Sequence, residues 1–226
     1  VALNARRSTL GARVSGRRAG LRFDAERATT TEALLFLGDL DPEAIGPSIV
    51  HATHYEPTPV GDLDALLAHV PFAFEQATFV DVGSGMGRAV LLAARHPFRQ
   101  VVGVEISPAL HAIARDNIAR APQDERRCRD VRLVRADAAA YRFPRGDLVA
   151  YLYNPFDAEV LAAVLDTLAA SDRRNLALLY HTPVHRDVVE RHAAFATIAE
   201  ESMGVVFRKV HRTARRTVGE CPLDPS

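Results

Sequence analysis

The stretch from Thr78 to Ala94, TFVDVGSGMGRAVLLAA, leaves this chain few folds to choose from. Thr78-Phe79-Val80-Asp81 has the β-branched and aromatic character of a buried strand, and Arg88 to Ala94 has the composition of a helix. Between them lies Gly83-Ser84-Gly85-Met86-Gly87. Glycine lacks the Cβ that would block both a tight reversal and the approach of a ligand, and the helix that follows begins with unpaired N–H groups. A strand, a glycine turn and a helix in that order predict a binding turn for a small anionic or carboxylate-bearing group.

The spacing narrows the ligand. A dinucleotide fingerprint, G-x-G-x-x-G, requires glycine where this chain has Arg88; Gly83, Gly85 and Gly87 instead form G-x-G-x-G behind Asp81. A nicotinamide dinucleotide becomes the weaker reading.

From Thr78 onward strand-like and helix-like segments alternate, which predicts an α/β fold with a doubly wound, mostly parallel seven-stranded sheet. The expected strands are 78–81, 101–105, 131–135, 147–153, 176–180, 195–199 and 205–210. The expected helices between them are 87–95, 108–120, 158–170 and 184–192. Pro108 suits a first helical turn. The short gap 200–204 predicts a hairpin, so one of the last two strands should run antiparallel.

Before the sheet the signals are weaker. Residues 1–27 hold seven arginines against Asp24 and Glu26 and read as a basic arm, mobile or loosely docked, that could contact an acidic partner. Thr29-x-x-Glu32 resembles a capping box, with an apolar helical face, 33–37, ending near Gly38; Asp41-Pro42-Glu43 opens a second short helix or turn. Residues 28–70 are therefore expected to form an N-terminal helical cap and a substrate-side loop ahead of a catalytic domain at 71–226. His51 to Pro59 reads as a loop in which Tyr55 lines the site, and 61–70 as a helix burying Leu63, Leu66 and Leu67. His51 and His54 lack a third ligand at matching spacing, so no metal site is expected.

Charge and cysteine content limit the function classes. Lys+Arg and Asp+Glu are both 28, so no global field selects a polyanion and nucleic acid is not an expected partner. Lys209 is the only lysine, a compositional habit rather than chemistry. Cys128 and Cys221 are far apart and have no C-x-x-C partner, which suggests neither a zinc cluster nor a disulfide framework. With no run of about 18 apolar residues, a soluble cytoplasmic protein is expected.

In an open parallel sheet, ligands sit outside the carboxyl ends of the strands. Here the first strand ends in Asp81 and the glycine turn, and the second in Val-Gly-Val-Glu105-Ile106-Ser107. A carboxylate there can accept from both hydroxyls of a ribose, although Glu105 could equally cap a helix, with Ser107 as the alternative N-cap. The third strand leads to Asp137 and Ala138, where an acid can accept from an exocyclic amine beside small neighbours, or else cap a turn. The fourth ends in Tyr153-Asn154-Pro155-Phe156, a polar amide, a fixed backbone and a ring. His181 and His185 follow the fifth and could act as a base or simply as surface or capping residues.

Taken as a set, Asp81-x-Gly83-x-Gly85-x-Gly87, Glu105, Asp137 and Asn154-Pro155-Phe156 resembles the motifs of the class I S-adenosylmethionine-dependent methyltransferases. The resemblance implies that Gly83, Ser84, Gly85 and Gly87 hold the methionine part of the cofactor and that Glu105 and Ile106 hold the ribose. It places Asp137 and Ala138 at the adenine, with Asp81 fixing the turn or approaching the amino group. Asn154-Pro155-Phe156 is similar to the (Asp/Asn)-Pro-Pro-(Tyr/Phe) motif of enzymes that methylate nitrogen, with one proline missing. Asn154 and the Pro155 backbone are then expected to orient a nucleophile, while Tyr55 and Phe156 wall the methyl group. Tyr55-x-x-Thr58 ahead of the glycine turn carries a weaker likeness to the non-SET histone lysine methyltransferases and their bacterial relatives, which implies a nitrogen acceptor such as a protein lysine. A small-molecule O- or N-methyltransferase and a non-catalytic cofactor-binding module are the alternatives. The sequence assigns neither the acceptor nor the oligomeric state.

Overall fold

The computed structural model describes residues 2–33, 35–36 and 54–210, with side chains described from residue 15 onward except at 35, 36 and 54. Seven strands, β3 (Thr78–Val82), β4 (Gln100–Glu105), β5 (Val131–Arg135), β6 (Leu148–Tyr153), β7 (Leu176–His181), β8 (Phe195–Glu201) and β9 (Gly204–Lys209), form one sheet in the order β5-β4-β3-β6-β7-β9-β8. The first five are parallel, and β9 runs antiparallel to both β7 and β8. The hairpin at 202–203 thus inserts the last strand between its predecessor and the parallel body. Strand order reverses between β3 and β6, where ligands settle in open parallel sheets.

Strand β3 is buried along its whole length, as a strand covered on both faces must be. Alternation divides its side chains between two cores. Phe79 packs with Val101, Tyr151 and Leu179 on one face; Val80 and Val82 pack with Val104, Leu152 and Leu178 on the other. Covering the first face is helix α3 (Arg88–Ala93), and covering the second is α5 (Ala158–Ala169). Helix α5 begins where Asp157 accepts hydrogen bonds from the Glu159 and Val160 N–H groups, both 3.1 Å. It buries Leu161, Val164, Leu165 and Leu168, an i, i+3, i+4, i+7 stripe contributing roughly 1.5–3 kcal/mol per side chain. Helix α4 (Pro108–Arg120) starts at Ser107, whose Oγ accepts from Leu110 N at 3.3 Å. Helices α2 (Asp62–Leu67) and α6 (Arg186–Arg191) are short, and Leu63, Leu66 and Leu67 of α2 are buried as expected.

The N-terminal expectations need correction. Residues Ala2–Arg27, read as an arm, form a continuous helix, α1; the stretch has no proline, and Phe23 and Asp24 near its end are buried. The helix expected from the Thr29-x-x-Glu32 box is absent. Residues 29–33 belong to neither helix nor strand and precede strand β1 (Leu35–Phe36), which pairs antiparallel with β2 (His54–Tyr55). The reason is local. Asp24 accepts from the Thr29 hydroxyl and from the Thr31 and Glu32 N–H groups, all at 2.7 Å, so the backbone donors a helix would use are already taken. The helix expected at Asp41-Pro42-Glu43 and the histidine His51 lie outside the described residues.

Candidate active site

The carboxyl ends of β3, β4, β5 and β6 converge on one pocket with about 890 Å³ of empty space, counting its open mouth, a size suited to a nucleoside-sized ligand. Of the expected site residues, Tyr55, Asp81, Gly83, Ser84, Gly85, Glu105, Ile106, Asp137, Ala138, Pro155 and Phe156 line it. Gly87 and Asn154 are not among the lining residues. A Cβ on Gly87 would stand 3.3 Å from that of Ala114, so this glycine serves the packing of the turn on α4. Asn154 has a left-handed backbone, φ 41°, and its Oδ1 accepts from the Tyr180 hydroxyl at 3.3 Å.

The turn needs glycine where it meets other elements. Gly83 has φ +81° and a Cβ there would fall 2.5 Å from Pro155; Gly85 has φ +52° and a Cβ would fall 2.2 Å from the Tyr55 ring. Glu105 braces the same turn. Its Oε2 accepts from Gly85 N and its Oε1 from Ser107 N, both 2.8 Å, which leaves lone pairs free for further donors. Burial raises the Glu105 pKa, and these amides oppose the rise. Asp137 is both things the sequence allowed: it lines the pocket and its Oδ1 accepts from Ala139 N at 2.9 Å, capping a turn.

Besides Arg88 Nη1, which is buried without a hydrogen-bond partner, two groups in the pocket stand ready for a ligand. The Ser84 hydroxyl is buried and makes no hydrogen bond. Asp81 is 3% exposed, and burial, reinforced by the charge of Glu105, pushes its pKa up to about 8. A ligand bearing an amino group and hydroxyls would supply what both lack, so the residues present fit the methyl donor named by the motifs.

Sequence reading gives no place in the site to Arg88, Glu56, Thr58, Tyr151 or Tyr153, all of which line the pocket. Signals for two of them existed. Tyr151 and Tyr153 are two apart on one strand and must share a face, and the register sets Tyr151 opposite Asp81. The Tyr151 hydroxyl lies 3.0 Å from the Thr58 hydroxyl, and the Tyr153 hydroxyl bonds Glu56 and Thr182. Behind Tyr153, its ring centroid 4.2 Å away, His181 is buried and bonds Asp62 Oδ2 at 2.9 Å. His181 is thus a brace rather than a surface residue. His185 precedes α6 without a side-chain cap.

Residues 79–177 match the family model described as a methyltransferase domain. Over these residues the chain is similar to that family, on the fold of the class I methyltransferases. The matched span holds every lining residue from Asp81 to Val160. Among solved structures, an RNA methyltransferase from Salinibacter ruber in complex with S-adenosyl-L-homocysteine is 24% identical with a TM-score of 0.51, covering 73% of this chain and 99% of that one. An O-methyltransferase from Bacillus cereus, also in complex with S-adenosylhomocysteine, is 15% identical with a TM-score of 0.52 and covers 68% of this chain and 82% of its own. At these identities the likeness establishes the fold. No curated protein matches in sequence. These structures do not show the likeness to histone lysine methyltransferases. Among the described residues, no helix is long and apolar enough to cross a membrane and no group of His, Cys, Asp or Glu is placed to hold a metal.

Proposed function

We propose that this methyltransferase transfers the methyl group of S-adenosylmethionine to a nitrogen acceptor, an amine such as the side chain of a protein lysine. The observation that carries this reading is a carboxylate set among rings at the pocket's mouth. Exposed Glu56 takes the hydrogen bond of the Tyr153 hydroxyl, and Tyr55, Tyr151 and Phe156 line the space beside it. A protonated amine is drawn to that carboxylate and to the faces of the rings, whereas a neutral hydroxyl gains less from either.

When bound, the donor supplies an electrophilic methyl carbon on a sulfonium. The chain's own work is alignment, exclusion of water and handling of one proton. Tyr55 and Phe156, both buried, wall the space above the glycine turn. Pro155, pressed on Gly83, fixes the distance between that turn and the end of β6. The amine must lose a proton before its lone pair can attack, and Glu56 is the base in position to take it. In this reading the orienting role expected of Asn154 falls to Glu56 and Tyr153.

Methyl transfer from labelled donor to matched panels of lysine peptides, small amines, alcohols and phenols tests the proposal. Label should appear on amines, and Glu56→Gln should lower kcat/KM by about 100-fold. Label confined to oxygen acceptors would replace it with an O-methyltransferase. Donor binding with no transfer on any panel would favour a non-catalytic module.

A further inference from the structure

Arg88, the residue that broke the dinucleotide spacing, is 1% exposed. An arginine is buried so completely only when paired. Its Nε donates to the Thr31 hydroxyl, its Nη2 donates to Gly20 O at 3.3 Å and to Glu32 Oε2 at 3.2 Å, and Asp24 Oδ1 lies 3.6 Å away. The guanidinium also stands 4.6 Å from the centroid of the Phe23 ring. All of these partners precede residue 33, whereas Arg88 itself follows the glycine turn and lines the pocket.

Thr31 carries the connection to a second lining residue. Its carbonyl accepts the Tyr55 hydroxyl at 2.8 Å, and its own hydroxyl donates to Asp24 Oδ1 at 2.7 Å. The Tyr55 ring in turn lies against Gly85. A third tie runs through Asn117 of α4, whose Oδ1 accepts from Thr30 N at 2.9 Å while its Nδ2 donates to Met86 O at 3.0 Å. The glycine turn is therefore gripped from behind by a segment that lies outside the matched domain.

We infer that residues 20–32 are a working part of the methyl-donor site: their docking and donor binding stabilise one another, with Arg88 as the positioning residue that transmits the effect to the turn and, through Thr31, to Tyr55. This rests on the reading of the pocket as the donor site. Coupling of this kind is reciprocal, so the factor by which the docked segment tightens the donor is the factor by which the donor tightens the segment.

Trypsin reads the segment directly. Arg17 and Arg18 are exposed on α1, the Arg22 side chain is 81% exposed, and cutting there requires local opening of the helix. S-adenosylhomocysteine is the probe, its affinity followed by calorimetry and cleavage at these arginines by mass spectrometry. Saturating probe should slow cleavage of the full chain about tenfold; Arg88→Met should weaken the probe about tenfold and erase the protection. Arg88→Lys should recover little, because an ammonium cannot reproduce the fork that reaches Thr31, Gly20 and Glu32 together. Should Arg88→Met fail to fold, Tyr55→Phe removes only the tie to Thr31 and should cost a few-fold in affinity. Probe bound at wild-type strength by these variants, or cleavage indifferent to bound probe, would overturn the coupling. A wild-type chain that binds no probe would overturn the donor-site reading itself.

Discussion

Between Thr78 and Val82 the backbone is held on both sides, by β4 and by β6 in continuous parallel register, and the turn that follows donates Gly83 N and Ser84 N to Val104 O at 2.9 Å each. Residues 29–33, pressed against the far side of that turn, have no such ladder. Side chains brought from elsewhere hold them: Asp24 accepts four hydrogen bonds, from Thr31 N, Glu32 N and the Thr29 and Thr31 hydroxyls, Asn117 accepts from Thr30 N, and Arg88 donates to the Thr31 hydroxyl. The first region gets its shape from periodic structure and glycine. The second gets it from a few buried charges, so it should fail separately and for different reasons.

The largest effect is expected inside the turn. Gly85→Ala places a Cβ about where the Tyr55 ring already is and forces alanine to φ +52°. Relief can come only by moving Tyr55 off the turn or by flattening the turn itself, and either spoils the site. S-adenosylhomocysteine affinity should drop about 100-fold by calorimetry. Near-wild-type affinity would mean that the turn does not form the donor site.

Next comes the far side. Asp24 is 8% exposed, and replacing it by alanine leaves Thr31 N and Glu32 N without their acceptor and takes from Arg88 one of its two carboxylates. A loss of about 3 kcal/mol is expected. Hydrogen exchange should show the loss in residues 20–33 while amides of β3, β4 and β6 keep their protection. Equal loss across the sheet would merge the two regions into one cooperative unit and end the comparison.

This division also explains what could be read from the sequence. Strand and helix periods along 78–210 describe themselves, and α4 was bounded at Pro108 and Arg120 because a proline, a serine cap and a broken pattern mark its ends. Asp81, Glu105 and Asp137 could be placed because a parallel sheet brings its strand ends together. Thr29-x-x-Glu32 misled because its two capping groups found stronger partners: Thr29 donates to Asp24, and Glu32 pairs with Arg88. Arg88 itself was legible only as a missing glycine. Its partners lie 56 to 68 positions earlier, beyond any local pattern.

An effect that grows with pH probes the floor of the pocket. Asp81 has a pKa of about 8 in the fold, owing to burial and then to Glu105, against an unfolded value of about 3.9. Between those values the folded chain keeps a proton that the unfolded chain has lost. Its contribution to stability is therefore complete below about pH 4 and is lost as pH rises through about 8. Asp81→Asn, which cannot ionise, should gain on the wild type as pH climbs, the difference in Tm widening between about pH 5 and pH 8.5. A difference that stays constant would show that Asp81 ionises in the fold as freely as in the open chain.

The smallest effects, opposite in sign, come from two glycines one helical turn apart on α1. Local propensity treats them alike, since alanine is favoured over glycine inside a helix by roughly 0.5–1 kcal/mol. A Cβ on Gly16 meets nothing within 4 Å, so Gly16→Ala should collect that gain and raise Tm by about 1–3 °C. On Gly20 the same atom would stand 1.7 Å from Glu32 Oε2, a carboxylate bonded to Arg88 and unable to swing aside without releasing it. Gly20→Ala should therefore lose the gain from propensity and more, lowering Tm and exposing Arg17, Arg18 and Arg22 to trypsin. If both substitutions stabilised the chain, α1 would be a helix resting on the domain by its own propensity, and the grip of residues 20–32 on the glycine turn would be no more than proximity.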